Sequence, residues 1–278
     1  MTDPVDPRLT GVWRREVITT PAGHRDETTR VFWLQTRSWY ADIRVPAARP
    51  TRPGGAGFAD YGPDELIELA TMQGFAGQLS ADPEICRWRR DLDFQPPSGS
   101  ADEGTWDLDG DVMVERGLDG GYEEIWRREP ASRGPLLAFG LASDSTGPGL
   151  RGFLVVAGDH FLAIRDRPQP LPAGGTLKEV VAAAVAAGDL DRARTALAMP
   201  IAYGRIAGGA VPWEVQLSTW PWLEGAGFWP GDAAFDPLSR ALRCSGLGVA
   251  QAWNLLDSSQ DLGRIGRDLR LPRARGAG

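Results

Sequence analysis

Apolar and polar positions along this chain alternate in short runs, and the runs occur in the same order twice. Val31, Phe32, Trp33 and Leu34 are followed, after a brief polar break, by Trp39, Tyr40, Ala41, Asp42, Ile43, Arg44 and Val45. Gly152, Phe153, Leu154, Val155 and Val156 are followed in the same way by His160, Phe161, Leu162, Ala163, Ile164 and Arg165. Aromatic and β-branched runs so closely joined predict a β-hairpin in each half. Later landmarks keep the order. Trp106-Asp107 and the run to Gly117 return as Phe235-Asp236 and the run to Gly246, and Trp126 returns as Trp253. A repeat of about 125 residues predicts two units, each able to bury its own core. Residues 1–130 form the first and 131–278 the second.

In the first unit, strands are predicted over Leu9 to Val17, Arg30 to Gln35, Trp39 to Val45, Gly74 to Leu79, Cys86 to Phe94, Asp111 to Arg116 and Tyr122 to Arg128, with Thr105 to Leu108 joining them. Asp109-Gly110 supplies a favoured hairpin turn. A loop rich in Pro, Gly and Ala leads to a short helix over Pro63 to Leu69, with acids in its first turn, and the two lie across a barrel opening. The second unit repeats the plan with strands over Leu136 to Leu141, Gly152 to Val156, Phe161 to Arg165, Ile201 to Ile206, Trp213 to Thr219, Ser239 to Cys244 and Val249 to Leu256. Its helical region, Leu177 to Met199, is longer, Ala-rich and interrupted at Gly188-Asp189. From Leu262 onwards the chain turns basic and Gly/Pro-bearing and reads as a loosely held tail. Seven or eight antiparallel strands close most economically into a barrel, which removes exposed edges. The expected fold class is therefore all-β, with two tandem antiparallel β-barrels, each carrying a short helical insertion. Such a barrel is either filled by its side chains or holds one small ligand.

Composition narrows the partners. A net charge of −7 argues against a nucleic-acid surface. Lys178 is the only lysine, so the many arginines reflect a coding bias and not phosphate recognition. Cys86 and Cys244 occupy different landmarks of the two repeats, which suggests no disulfide and a reducing compartment. The N-terminal residues show no secretion-signal pattern, and no run approaches the ~18 apolar residues of a membrane span, so a cytoplasmic location is expected.

Several segments carry a family resemblance: Tyr40-Ala41-Asp42-Ile43-Arg44, Gly74-Phe75-Ala76-Gly77, Asp102-Glu103-Gly104, and Tyr122-Glu123-Glu124-Ile125-Trp126. Over its first half the chain resembles the fungal Hrr-interacting protein family, of which it would be a bacterial relative; over the second half the likeness lies in strand order. The resemblance implies two lipocalin-like barrels in tandem, and it brings no catalytic residue with it. Gly11-Val12-Trp13 is similar to the opening strand of lipocalin-like barrels.

Candidate chemistry comes from polar residues that share a strand face with apolar ones. Cys86, Trp88, Arg90, Leu92 and Phe94 lie in one phase, and Arg87, Arg89, Asp91 and Asp93 in the other, so Arg90 is expected to enter the barrel. Tyr122, Glu124 and Trp126 share a phase that places Glu124 among aromatics. Buried charge needs a partner, which predicts either an internal bridge between Arg90 and Glu124 or a polar group that orients a ligand. Tyr40, Asp42 and Arg44 form a second polar phase, on the surface if the barrel is filled and inside it if the barrel is hollow. The candidate ligand-binding set is Trp13, Trp33, Tyr40, Asp42, Arg44, Trp88, Arg90, Glu124 and Trp126. The remaining tryptophans, with Trp213, Trp220, Trp222 and Trp229 clustered together, fit a wide core or a domain interface, the segment from Trp220 to Trp229 forming a rigid flap between the barrels. His24 and His160 have no metal-ligand spacing around them. Asp107, Asp109 and Asp111 start like a calcium loop, but Leu118 stands where its last carboxylate belongs. No cofactor or metal is expected.

These patterns favour a binding protein for a small, partly apolar or aromatic molecule, with an anionic group compatible with the arginines. One rival is a cofactor-independent isomerase, cyclase or hydratase that uses Asp42 or Glu124 as acid or base. Another is a structural or protein-interaction module with filled barrels. The expected partners are a small hydrophobic or aromatic ligand and, at most, a second copy of the chain in a homodimer; nucleic acid and membrane are not among them.

Overall fold

The computed structural model describes residues 4–52, 55–99, 101–144, 151–229, 231–246 and 249–271. The first half runs through β1 (Gly11–Thr19), the two-residue β2 (Arg25–Asp26), β3 (Arg30–Gln35), β4 (Trp39–Val45), helix α1 (Pro63–Leu69), β5 (Gln73–Ala81), β6 (Ile85–Asp93), β7 (Glu103–Asp109), β8 (Val112–Gly117) and β9 (Glu123–Arg128). Neighbours pair antiparallel in the order β1-β3-β4-β5-β6-β7-β8-β9, and β9 pairs back onto β1. Eight strands thus close a barrel, while β2 extends the ladder at the end of β1. The β7–β8 turn is built on Gly110, whose φ of +59° explains the glycine there.

The second half follows with β10 (Leu136–Asp144), β11 (Gly152–Ala157), β12 (His160–Arg165), helices α2 (Leu177–Ala186) and α3 (Leu190–Ala196), β13 (Ile201–Arg205), β14 (Glu214–Ser218), β15 (Asp232–Asp236), β16 (Ala241–Gly246), β17 (Val249–Ser258) and α4 (Leu262–Asp268). Its order is β14-β13-β12-β11-β10-β17-β16-β15. This is the neighbour order of the first half with one pairing missing. Among the described residues β14 and β15 do not join, so the sheet is a half-barrel. The outer edge of β14 is covered by the chain that follows it, Val215 N–H donating to Ala226 O (2.9 Å) and Gly225 N–H to Val215 O (2.8 Å).

Both halves place a register shift at the same landmark, between Ala76 and Gly77 in β5 and between Tyr203 and Gly204 in β13. A Cβ on Gly77 would meet Arg89 O at 1.9 Å, and one on Gly204 would meet Glu214 O at 1.9 Å. Glycine is what lets the facing strand come this close.

The β-branched phase of β4 faces neither solvent nor the barrel interior. With Phe32 and Leu34 of β3, Ala41, Ile43 and Val45 pack against Val155, Leu162, Ile164, Ile201 and Tyr203 of the second sheet, sealed by α1, α2 and α3. Phe32 stacks on Tyr203 at 4.0 Å. Trp220 and Trp222 stack on each other and meet Phe58 of the first half edge-on. Arg37 crosses the junction to Asp257, with Nε 3.0 Å from Oδ1.

The segment after Leu262 corrects the expectation of a loose tail. Ile265 and Leu269 are fully buried in the second core, and Trp213 Nε1–H donates to Leu269 O at 2.8 Å. Leu262, Ile265 and Leu269 recur at helical spacing, a stripe that the basic residues between them mask. Residues 272–278 lie outside the described residues. No helix among those described is long and apolar enough to cross a membrane.

Candidate functional site in the first barrel

One end of the barrel is shut by a turn of 3-10 helix, Pro7–Leu9, whose Leu9 is fully buried and accepts from Trp13 Nε1–H at 2.7 Å. Behind it the interior is filled by Val5, Trp13, Val31, Tyr40, Leu79, Cys86, Trp106 and Met113. Trp33 is the hub of the layer above, 6.4 Å from Trp13, 6.0 Å from Trp88 and 5.9 Å from Trp126. Tryptophan suits this layer because its large area fills a wide barrel.

Beyond that floor the inward positions become charged. Inward positions carry Glu115 on β8, Glu124 on β9 and Arg15 on β1, three consecutive strands, and Asp42 and Arg44 on β4, two strands further round. Glu124 is only 1% exposed. Its Oε1 accepts from Arg15 Nη1 (2.7 Å) and Arg44 Nη1 (3.2 Å), while its Oε2 has no hydrogen-bond partner. Arg15 also reaches Asp26 Oδ2 at 3.2 Å, and Arg44 Nε donates to Asp42 Oδ1 at 3.0 Å. The Arg44 guanidinium lies over the faces of Phe75 (5.2 Å) and Trp126 (5.9 Å).

Glu115 and Glu124 are direct cross-strand partners, which sets two carboxyl groups side by side on one face. Burial, and after it the negative charge of Glu124, pushes the Glu115 carboxyl up to about 8. Its Oε1 lies 2.8 Å from Tyr122 OH, and the phenol is held well above its ordinary range by burial and by Glu115. Burial also raises Asp42, against the pull of Arg44. At neutral pH Glu115 therefore keeps its proton.

A cavity of 90 Å³ is bounded by Asp42, Arg44, Glu115 and Glu124 together with Trp33, Phe75, Trp88, Arg90, Asp102, Tyr122 and Trp126. Of the residues picked out from sequence, Trp33, Asp42, Arg44, Trp88, Arg90, Glu124 and Trp126 meet around it. Trp13 and Tyr40 do not: they belong to the filled end. Phe75, Asp102, Glu115 and Tyr122 were not selected, although Tyr122 shares the phase of Glu124 and the Met113, Glu115, Gly117 alternation was legible.

The proposed bridge between Arg90 and Glu124 is absent. Arg90 sits at the rim with its side chain 35% exposed, its Nη2 2.6 Å from Asp102 Oδ2, its Nη1 2.9 Å from Asp93 Oδ2 and its guanidinium over Phe75 at 3.7 Å. Arg90 keeps the phase of Trp88 and is engaged by two nearer carboxylates, one of which is delivered by the register shift opposite Gly77, where Asp91 is the extra residue of a bulge. Downstream of it the phase of β6 inverts, sending Leu92 and Phe94 into the packing between the halves and leaving Asp93 beside Arg90. His160 is a structural residue: buried at the junction, with Nδ1 2.8 Å from Tyr203 OH and Nε2 3.2 Å from Pro130 O. Among the described residues no three His, Cys, Asp or Glu side chains converge as metal ligands.

No family model matches this chain, and none of the curated proteins does. Among solved structures, an uncharacterized protein from Saccharomyces cerevisiae is similar in fold at 11% identity, with a TM-score of 0.54 over 90% of this chain and 99% of the yeast chain. A lipocalin-like protein from Bacteroides uniformis matches 44% of this chain and 99% of its own at 13% identity, with a TM-score of 0.29. The yeast likeness spans both halves and concerns fold alone. By its own strand pairing the first half is a closed eight-stranded antiparallel barrel.

Proposed function

We propose that the first barrel binds one small molecule through a cationic, hydrogen-bond-donating group seated in the 90 Å³ cavity. The observation that carries this reading is Glu124, a buried carboxylate with one oxygen unpaired in a chamber where acids outnumber bases. Around it two guanidinium groups, Arg44 and Arg90, face Asp42, Asp102, Glu115 and Glu124. A buried acceptor without a donor costs about 1–3 kcal/mol, which a ligand N–H would recover. At about 30 Å³ per water the cavity has room for roughly three waters, or for a head group of four or five heavy atoms. The aromatic faces of Trp33, Trp88 and Trp126 suit a flat or methylated cation. The second half, with the same strand order and the same glycine-bearing bulge, is read as a copy of the first unit that serves as its packing partner.

Calorimetric titration tests this reading. Methylguanidine is expected to bind with one-to-one stoichiometry, at least ten-fold tighter than acetate, and Glu124→Gln is expected to remove that preference. Equal affinity for the two probes would refute it.

The Glu115–Glu124 pair favours a second reading, a cofactor-independent isomerase, cyclase or hydratase. There Glu115, which keeps its proton at neutral pH, would donate to a substrate, and Glu124 would accept from it through its unpaired Oε2. Turnover lost in Glu115→Gln with ligand affinity retained would distinguish it from simple binding.

A further inference from the structure

A groove of 860 Å³ runs outside the barrel mouth, and it shares Trp88, Arg90 and Asp102 with the inner cavity. The ion pair between Arg90 and Asp102 therefore stands between the two spaces. On the far wall, contributed by the second half, lies Arg167. Arg87, Arg89, Arg90 and Arg151, the other arginines of the groove, each have a carboxylate partner. Arg167 has none within ion-pair distance among the described residues. It is only 6% exposed. Its Nη2 donates to Phe94 O at 2.6 Å, and its Nε has no partner. Its hydrogen bonds go to carbonyl oxygens, and Asp166 and Asp93 act on it only at longer range, so it lacks the directly paired anion that a buried guanidinium ordinarily carries.

Cavity and groove thus present opposite charged groups that lack a direct partner: a carboxylate oxygen of Glu124 without a donor inside, and the Arg167 guanidinium without an ion-paired carboxylate outside. We infer that the natural ligand is a zwitterion, its ammonium or guanidinium head in the cavity against Glu124 and its carboxylate or phosphate end in the groove at Arg167, with the Arg90–Asp102 pair parting to let the connecting chain through. This rests on the binding reading above and extends it by assigning the second charged end and the residue that takes it. It also gives the second half of the molecule a part in recognition.

The test compares three probes of equal length on the wild-type protein by titration calorimetry: 4-guanidinobutyrate, butylguanidine, which lacks the acid, and 4-ureidobutyrate, whose head is neutral. The inference predicts that 4-guanidinobutyrate binds at least ten-fold tighter than either of the others. Arg167→Met is expected to lower 4-guanidinobutyrate to the level of butylguanidine and to leave butylguanidine unchanged. Equal binding of 4-guanidinobutyrate and butylguanidine to the wild-type protein would overturn the groove assignment and leave the cavity reading standing, and it requires no variant to fold. Equal binding of 4-guanidinobutyrate and 4-ureidobutyrate would overturn both. Binding of methylguanidine with none of 4-guanidinobutyrate would overturn the connection between cavity and groove.

Discussion

Replacing Glu115 by Gln should alter how stability depends on pH. In the folded protein the Glu115 carboxyl keeps its proton up to about 8, because burial and the neighbouring Glu124 charge oppose ionisation; in the unfolded chain it releases the proton near 4.5. The folded state therefore binds more protons between these values. The stability this group contributes is complete below 4.5 and is lost as pH rises through 8. At about 1.4 kcal/mol per pH unit, the full loss is about 5 kcal/mol. Glutamine keeps the shape and can still accept from Tyr122 while having no proton to lose. Urea unfolding of both proteins at several pH values between 4.5 and 9 gives the difference directly. Glu115→Gln should gain on the wild type steadily across that window, by several kcal/mol at its alkaline end. A difference that stays constant with pH would show that Glu115 ionises normally and would refute the account of the carboxyl pair.

Two further outcomes follow from the same charged groups. Arg44→Met leaves Asp42 without its ion-pair partner and Glu124 with Arg15 alone in a dry interior, and should cost about 3–5 kcal/mol by denaturant unfolding at pH 7. His160, buried between Tyr203 and Pro130 O, has its ring basicity lowered by burial. Protonation then favours the unfolded chain, so its contribution to stability is full above about 6.5 and is lost as pH falls below that. His160→Gln should flatten the wild-type decline between pH 6.5 and 5, which paired thermal melts would show.

Strand order was the most legible part of the molecule, because period-two alternation and the Asp109-Gly110 turn are local signals. The inward phase was harder wherever local and tertiary effects compete. Ile43 and Tyr40 lie on opposite faces of β4 and both are buried, since one face lines the barrel and the other meets the second half; a strand covered on both sides has no solvent phase to read. Arg90 keeps the phase of Trp88 and borders the cavity as read, but its partner was misread because the bulge at Asp91 shifts everything after it and brings Asp93 alongside; Gly77, the residue that permits the bulge, lies on a different strand. Glu115 was missed for the converse reason. Its phase was readable, but its meaning depends on the cross-strand partner Glu124, which appears only once β8 and β9 are in register. The break between β14 and β15 had no local signature at all.

The central claim, a cation-accepting chamber in the first barrel, is tested most directly by the indole N–H resonance of Trp126 during titration with methylguanidine. Trp126 borders the cavity and its Nε1–H has no protein partner, so its signal should move and saturate at one equivalent in the wild-type protein and stay put in Glu124→Gln. A Trp126 signal that is unchanged while methylguanidine binds, or that moves equally in both proteins, would contradict the account.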